Sequence, residues 1–279
     1  MPVGHAKLRP VPMPEQSNVQ HLANQYRENG FLSGIRVISP KDAQSHRDRL
    51  ESAEAVIGNL HYQSNIHTVL RSPWELATQT AVLDLVEAMI GPDILLHNAT
   101  YIIKEPRTRQ HVSWHQDLTY WGFDDAAQVS MWLALSVADE TSGCMQMVPG
   151  SHLIGEQPHE PTDDADNVLL QGQTIRDVDT ANAVLCSLAP GEASFHHGWT
   201  LHASMPNPSA DRRIGLNVQY IAPHMKQLKT DDDTAILVRG VDRYQHFKQV
   251  KPARAELDEA ALARHRELQA LYVATAGSQ

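Results

Sequence analysis

The stretch VSWHQDLTYWG, residues 112–122, decides how the rest of the chain is read. It reads as an extended strand, and in a strand residues i and i+2 share a face. His115 and Asp117 therefore converge on one spot, either a wet surface or the inside of a pocket. The H-x-D pattern alone leaves both open.

The surrounding composition narrows the classes of partner. The chain has 279 residues, 42% hydrophobic and 20% charged, as a soluble globular protein with one substantial core would. Its net charge of −10 argues against nucleic acid or an anionic membrane as the main partner. No run of 18 apolar residues predicts a membrane span. The opening MPVGHAKLRPVPMPEQ lacks the apolar region of a secretory signal. Two cysteines, Cys144 and Cys186, give no disulfide framework, so a cytoplasmic location is expected. Sixteen histidines only hint at metal chemistry.

Helical grammar fills residues 15–91. EQSNVQHLANQYRENG ends on a Gly stop, and GFLSGIRVIS follows as an extended piece. Ser39 and Pro40 open a helix that runs to Gly58, and SPWELATQTAVLDLVEAMIG (72–91) repeats the pattern from Ser72 to Gly91. From 93 to 222 the chain breaks into short β-type segments punctuated by Gly, Pro, Asn and Asp, which predict a sandwich or barrel. The acidic, polar 155–182 reads as a surface excursion, and 255–275 as a C-terminal helix. With no repeat or linker, the expectation is one domain over 1–279, mainly β with flanking helices.

ASFHHGWTLHASMPN (193–207) supplies His196, His197 and His202 as candidates for a third ligand. The H-x-S pattern and the spacing to Arg213 favour His202. Two histidines and a carboxylate on one face of an octahedron leave positions open, the arrangement of non-haem Fe(II) oxygenases. Arg213 follows across the turn-rich MPNPSAD, and a hairpin from His202 would bring its guanidinium to the depth of the pocket. Arginine binds a carboxylate through two parallel hydrogen bonds. Ser204 shares a face with His202 and offers a hydroxyl to the same carboxylate. A dicarboxylate that chelates iron at one end and meets arginine at the other describes 2-oxoglutarate.

WHQD, SGCMQMVPGSH and FHHGWTLHASMPNPSADRRIGLNVQY together resemble the phytanoyl-CoA dioxygenase family of Fe(II)/2-oxoglutarate oxygenases, over about Asn98 to Ala222. The resemblance implies a double-stranded β-helix (jelly-roll, cupin-like) core with the metal site at its open end. It implies that His115, Asp117 and His202 bind Fe(II) and that Arg213, with Ser204, holds the distal carboxylate of 2-oxoglutarate. It places Trp132, Asn98 and Thr100 near that co-substrate. Family halogenases carry a small residue where Asp117 stands, so hydroxylation is implied. The implied reaction consumes O₂ and 2-oxoglutarate, releases succinate and CO₂, and takes ascorbate as an in vitro reductant.

The substrate is read from less. KEPRTRQH (104–111) carries Lys104, Arg107, Arg109 and His111, either an anion-recognition patch or a solvated loop. Tyr120 and Trp121 could wall the pocket, cage an ammonium group or pack in the core. Asn217 shares strand parity with Arg213. The expected substrate is a small polar metabolite: an amino acid, a betaine-like compound, an aminophosphonate or a natural-product intermediate. The alternatives are an acyl-CoA hydroxylase, a non-catalytic jelly-roll protein that binds metal and 2-oxoglutarate, and a cupin-like metalloenzyme for which Arg213 is dispensable.

Overall fold

A computed structural model describes residues 16–169 and 173–276 of the chain. Its helices are α1 (Gln16–Asn29), α2 (Pro40–Ile57), α3 (Arg71–Ala77), α4 (Thr80–Ile90), α5 (Leu118–Trp121) and α6 (Glu259–Ala276). The strands are β1 (Phe31–Arg36), β2 (Ile94–Lys104), β3 (Val112–His115), β4 (Gln128–Ala134), β5 (Met145–Met147) and β6 (Glu160–Pro161). They continue with β7 (Gln173–Thr174), β8 (Val184–Cys186), β9 (Glu192–His196), β10 (His202–Ser204), β11 (Arg213–Ile221), β12 (Thr234–Arg239) and β13 (Lys248–Gln249).

Two sheets carry the architecture. The larger runs β1-β9-β4-β11-β2-β12-β13 and the smaller β3-β10-β5-β8. Apart from the parallel β12–β13 edge, neighbouring strands in both are antiparallel. This is the expected jelly roll. Alternation along β11 shows why it closes. Ile214, Leu216 and Val218 join the core formed with Leu22 and Tyr26 of α1 and Leu85 of α4. Arg213, Asn217 and Gln219 take the opposite parity and line a cavity between the sheets. Where that interior is dry, Trp132 of β4 meets Met145 and Met147 of β5 and Cys186 of β8. Covered on one face by helices and on the other by the second sheet, β4 is buried along its whole length.

The helical signals hold at α2, where Ser39 accepts from the Asp42 amide and Gly58 ends the helix at φ 88°. The 72–91 segment differs, because it forms two helices. Gln79 is extended, and Thr78 turns its hydroxyl back onto the Trp74 carbonyl at 2.8 Å. Ser72 does not cap; its hydroxyl is 2.7 Å from His46 Nδ1. The extended piece after α1 becomes β1, paired with β9 in the larger sheet. Strands β12 and β13 lie beyond the expected end of the β core at 222. The 155–182 segment holds the small β6–β7 ladder, and its residues 170–172 lie outside the described residues, as does Glu15 at the start of the first expected helix. No helix among the described residues is long and apolar enough to cross a membrane.

Candidate metal centre and adjoining cavity

The strand reading of VSWHQDLTYWG needs correcting at Asp117. β3 ends at His115, and Asp117 is helical (φ −62°, ψ −43°) at the start of α5. The convergence survives for a different reason. The chain turns into the cavity after His115, and buried Gln116 pins the turn by donating to the carbonyls of Gly155 and Trp199 at 2.9 and 2.8 Å.

His202 arrives by strand pairing. It lies directly across from His115 in the β10–β3 ladder, and the two rings are 4.0 Å apart between centroids. Asp117 Oδ1 sits 3.4 Å from His115 Nε2 and 3.7 Å from His202 Nε2. One ligand atom from each of the three lies within 4.8 Å of the others, close enough to share a metal ion. The tautomers suit a metal too. Nδ1 of His115 is 2.9 Å from the Ser113 carbonyl and Nδ1 of His202 is 2.9 Å from that of Thr200. A carbonyl can only accept, so Nδ1 carries a proton and Nε2 is the nitrogen left to face a metal. Burial, reinforced by His115, holds the His202 imidazole well below its usual pKa and therefore neutral. Burial alone would raise the Asp117 carboxyl, but His202, His115 and His196 outweigh it and keep the group ionised. Two imidazoles with one carboxylate form the donor set that Fe(II) takes.

His196 has a different position from the three. Its Nε2 meets the other carboxylate oxygen, Asp117 Oδ2, at 3.3 Å, and Ser130 Oγ lies 3.4 Å from the same atom. The pair orients the carboxylate. His197 faces away, against Tyr26 and His152.

The expected His202–Arg213 hairpin does not form. β10 belongs to the smaller sheet and β11 to the larger, so the connection between them crosses from one sheet to the other. Arg213 still reaches the cavity, because it opens β11 opposite Lys104. It is 1% exposed, donates from Nη1 to the Gly143 carbonyl at 2.6 Å, and has no partner at Nε. Its guanidinium carbon stands 5.1 Å from the Trp132 ring centroid. Burial lowers its pKa to about 10, which leaves it cationic at neutral pH. No ion pair to it exists among the described side chains, and a buried guanidinium of this kind has the geometry to take a carboxylate. Two glycines allow the arrangement. A Cβ on Gly215 would lie 1.9 Å from Trp132 Cζ2, and one on Gly143 (φ 73°) would lie 2.2 Å from the Met205 carbonyl oxygen.

Lys104 is the unexpected neighbour. Far from being part of a surface loop, it is buried, with Nζ donating to Ser204 Oγ at 2.8 Å and to the carbonyls of Ser204 and Met205. Burial, with Arg213 nearby, pushes its pKa down to about 6. Accepting from Lys104 leaves the Ser204 hydroxyl proton free to donate.

The cavity beside the metal ligands has a volume of about 160 Å³. Trp132, Asn98, Thr100, Ser204, Arg213, Asn217, Tyr120 and Trp121 all line it. Arg109 and His111 do not. Arg109 is 88% exposed and pairs with Asp166 at 3.1 Å, while His111 lies 3.6 Å from Asp164. Sequence reasoning missed Tyr62 and Ser64 from the loop after α2, and Gln269 and Tyr272 from α6, all of which line the cavity. No local signal marks them, since only the tertiary fold brings them to the metal. His196 was in view as a rival ligand, and its second role was not.

Comparison with known proteins adds to this geometry. A family model described as Phytanoyl-CoA dioxygenase (PhyH) matches residues 24–215. "Phytanoyl-CoA dioxygenase, peroxisomal" of Bos taurus is 26% identical over 235 residues, covering 74% of this chain and 69% of that protein. "Probable alpha-ketoglutarate-dependent hypophosphite dioxygenase" of Stutzerimonas stutzeri is 27% identical over 160 residues, 57% of this chain and 56% of that one. Among solved structures, the non-heme monooxygenase ThoJ in its apo form superposes with a TM-score of 0.78 at 28% identity, covering 90% of this chain and 98% of its own.

Proposed function

This chain belongs to the phytanoyl-CoA dioxygenase family, and from that premise we propose that it hydroxylates a small polar metabolite with release of succinate and CO₂. It is an Fe(II)/2-oxoglutarate-dependent dioxygenase. In this reading His115, Asp117 and His202 hold Fe(II). Arg213 and the Ser204 hydroxyl take the distal carboxylate of 2-oxoglutarate, with Trp132 beneath the guanidinium. Asn98 and Thr100 lie along the co-substrate side of the cavity. The bound metal and co-substrate together supply oxygen activation, with 2-oxoglutarate consumed in the process.

The protein's own part is positional. The carbonyls of Ser113 and Thr200 fix the two imidazoles, His196 and Ser130 fix the carboxylate, and the sheets exclude water from Arg213. With Asp117 in place as a carboxylate ligand, hydroxylation is favoured over halogenation. The reading rests chiefly on one observation: a metal-ready His115–Asp117–His202 cluster shares its cavity with a buried arginine that lacks a carboxylate partner.

The test is succinate release with Fe(II), ascorbate and a panel of small metabolites, alongside direct titration of 2-oxoglutarate. Arg213→Ala should raise the apparent KM for 2-oxoglutarate by roughly 30-fold or more, the equivalent of the 2–5 kcal/mol typical of truncating a buried charge partner. A protein that fails to bind 2-oxoglutarate in the presence of iron would overturn the proposal. An Arg213→Ala enzyme with normal kinetics would point instead to a metalloenzyme that does without the co-substrate.

A further inference from the structure

The far wall of the cavity comes from chain beyond residue 215, where the family match stops. Asn217 and Gln219 project from β11, and Gln269, Tyr272 and Val273 from α6. α6 is fastened across the cavity. Gln269 Oε1 accepts from the Ser64 amide at 2.6 Å and from the Ser64 hydroxyl, and His265 Nε2 lies 2.7 Å from the Ser64 carbonyl. The loop it grips is held in an uncommon shape, with Tyr62 at φ 57° and Asn65 at φ 56°. The Asn65 amide is locked onto Asn98 Oδ1 at 2.6 Å. A non-glycine loop in left-handed backbone persists only where its surroundings over-determine it, and here those surroundings are a cavity wall.

The charge on this wall is informative. Among the described residues, Asp117 and Arg213 are the only side chains of Asp, Glu, Lys or Arg type that line the cavity. Under the proposed function the first is held by the metal and the second by the co-substrate. Lys104, the nearest other basic side chain, is turned away, with Nζ directed at Ser204 Oγ and the carbonyls of Ser204 and Met205. What remains is aromatic, aliphatic or neutral and polar. The Tyr120 hydroxyl, Thr100 Oγ1 and Asn217 Oδ1 are buried atoms with no hydrogen-bond partner among the described residues. A buried polar atom without a partner is costly, and each of these faces a space a ligand can fill. An ion brought to the same place would lose its hydration and find no counter-charge.

We propose that α6 and the end of β11 form the substrate-selecting wall, and that the group they deliver to the metal is uncharged, a ring bearing hydroxyl or amide functions. This rests on the Fe(II)/2-oxoglutarate reading and narrows it. Within the small polar metabolites, it selects neutral natural-product-type molecules over those whose reacting part is a carboxylate, a phosphonate or an ammonium.

The test uses the protein loaded with Fe(II) and 2-oxoglutarate under argon and three probes that share one ring: benzamide, benzoate and benzylammonium. Calorimetry should show benzamide bound about tenfold or more tightly than either ion, the direction set by the cost of an uncompensated charge. Asn217→Asp should shift that preference towards benzylammonium. Val273→Trp, which fills the cavity from α6 without touching the Ser64 bonds, should abolish benzamide binding while 2-oxoglutarate affinity stays within about twofold. Equal or tighter binding of either ion, or no binding of benzamide, overturns the proposal. So does parallel loss of probe and co-substrate in Val273→Trp, which would make α6 a general support of the fold. Titration of 2-oxoglutarate in the same samples is read separately. Failure there, with Arg213→Ala indistinguishable from the unmutated chain, sinks the underlying reading and not the selectivity of the wall.

Discussion

At the metal end of the cavity, side chains are aimed by hydrogen bonds. The Ser113 and Thr200 carbonyls hold His115 and His202, and His196 and Ser130 hold Asp117. At the α6 end, hydrogen bonds tie the helix to Ser64, while polar atoms of Tyr120, Thr100 and Asn217 have no partner among the described residues. The difference suits what the proposed function asks of each end. A metal tolerates little error in ligand direction, so a second layer fixes its ligands before it arrives. A surface that reads an organic molecule keeps its donors and acceptors unpaired until that molecule supplies partners. Arg213 stands between the two regimes, half satisfied by Gly143 and half waiting.

Removing one side chain from each layer of the metal end gives the largest expected contrast. Asp117→Ala takes away a ligand and should lower Fe(II) affinity and turnover by more than about a hundredfold. His196→Ala takes away only an orienting partner, and should cost about 10–100-fold in metal affinity, the usual scale for such outer contacts. Metal titration followed by succinate assay separates them. Equal losses in the two variants would erase the distinction between ligand and orienter, and would make His196 a fourth ligand.

A smaller effect is expected where the larger sheet supports Arg213. Gly215→Ala would set a methyl 1.9 Å from the Trp132 ring, so the indole has to leave its place beneath the guanidinium. Overpacking of this kind costs about 1–3 kcal/mol. A fall in Tm should therefore come with weaker 2-oxoglutarate binding, while metal affinity is retained. If Tm falls and co-substrate binding does not, Trp132 packs the core and has no part in holding Arg213.

The two ends were also unequally legible in the sequence. His115, Asp117, His202, Ser204 and Arg213 lie in two short segments that the fold brings to one cavity, and β11 parity correctly aligned Asn217 with Arg213. Local reasoning failed where geometry depended on distant partners. Asp117 reads as strand from its neighbours, yet the turn pinned by Gln116 makes it helical. Lys104 reads as loop charge alongside Arg109, but the β2–β11 register carries it inward opposite Arg213 and leaves Arg109 in solvent. Gln269 and Tyr272 sit on a helix whose sequence says only that it is a helix. Their role appears when α6 folds back over Ser64, some 200 residues earlier in the chain.

Behind the far wall the polar atoms are paired again, and this gives the smallest and most specific prediction. Gln219 lines the cavity, and its Oε1 is 3.2 Å from His97 Nδ1. His97 Nε2 in turn meets Asp233 Oδ2 at 3.0 Å, where Gln227 also donates. Burial tends to lower the pKa of His97, but Asp233 overrides it and the net shift is upward from 6.5. Burial tends to raise that of Asp233, and His97 and its hydrogen bonds bring it below 3.8. The signs define a window. The His97 contribution to stability is complete below its unfolded value near 6.5 and is lost as pH rises through the higher folded value. The Asp233 contribution is present above its unfolded value near 3.8 and is lost as pH falls through the lower folded value. Asp233→Asn, which keeps the shape and removes the charge, should therefore lower Tm most between about pH 4 and 6.5. The gap should narrow as the pH rises through the folded value of His97 and its charge is lost. A gap of constant size from pH 5 to 8.5 would mean that His97 carries no charge in the folded state, and that the wall is backed by neutral hydrogen bonds alone.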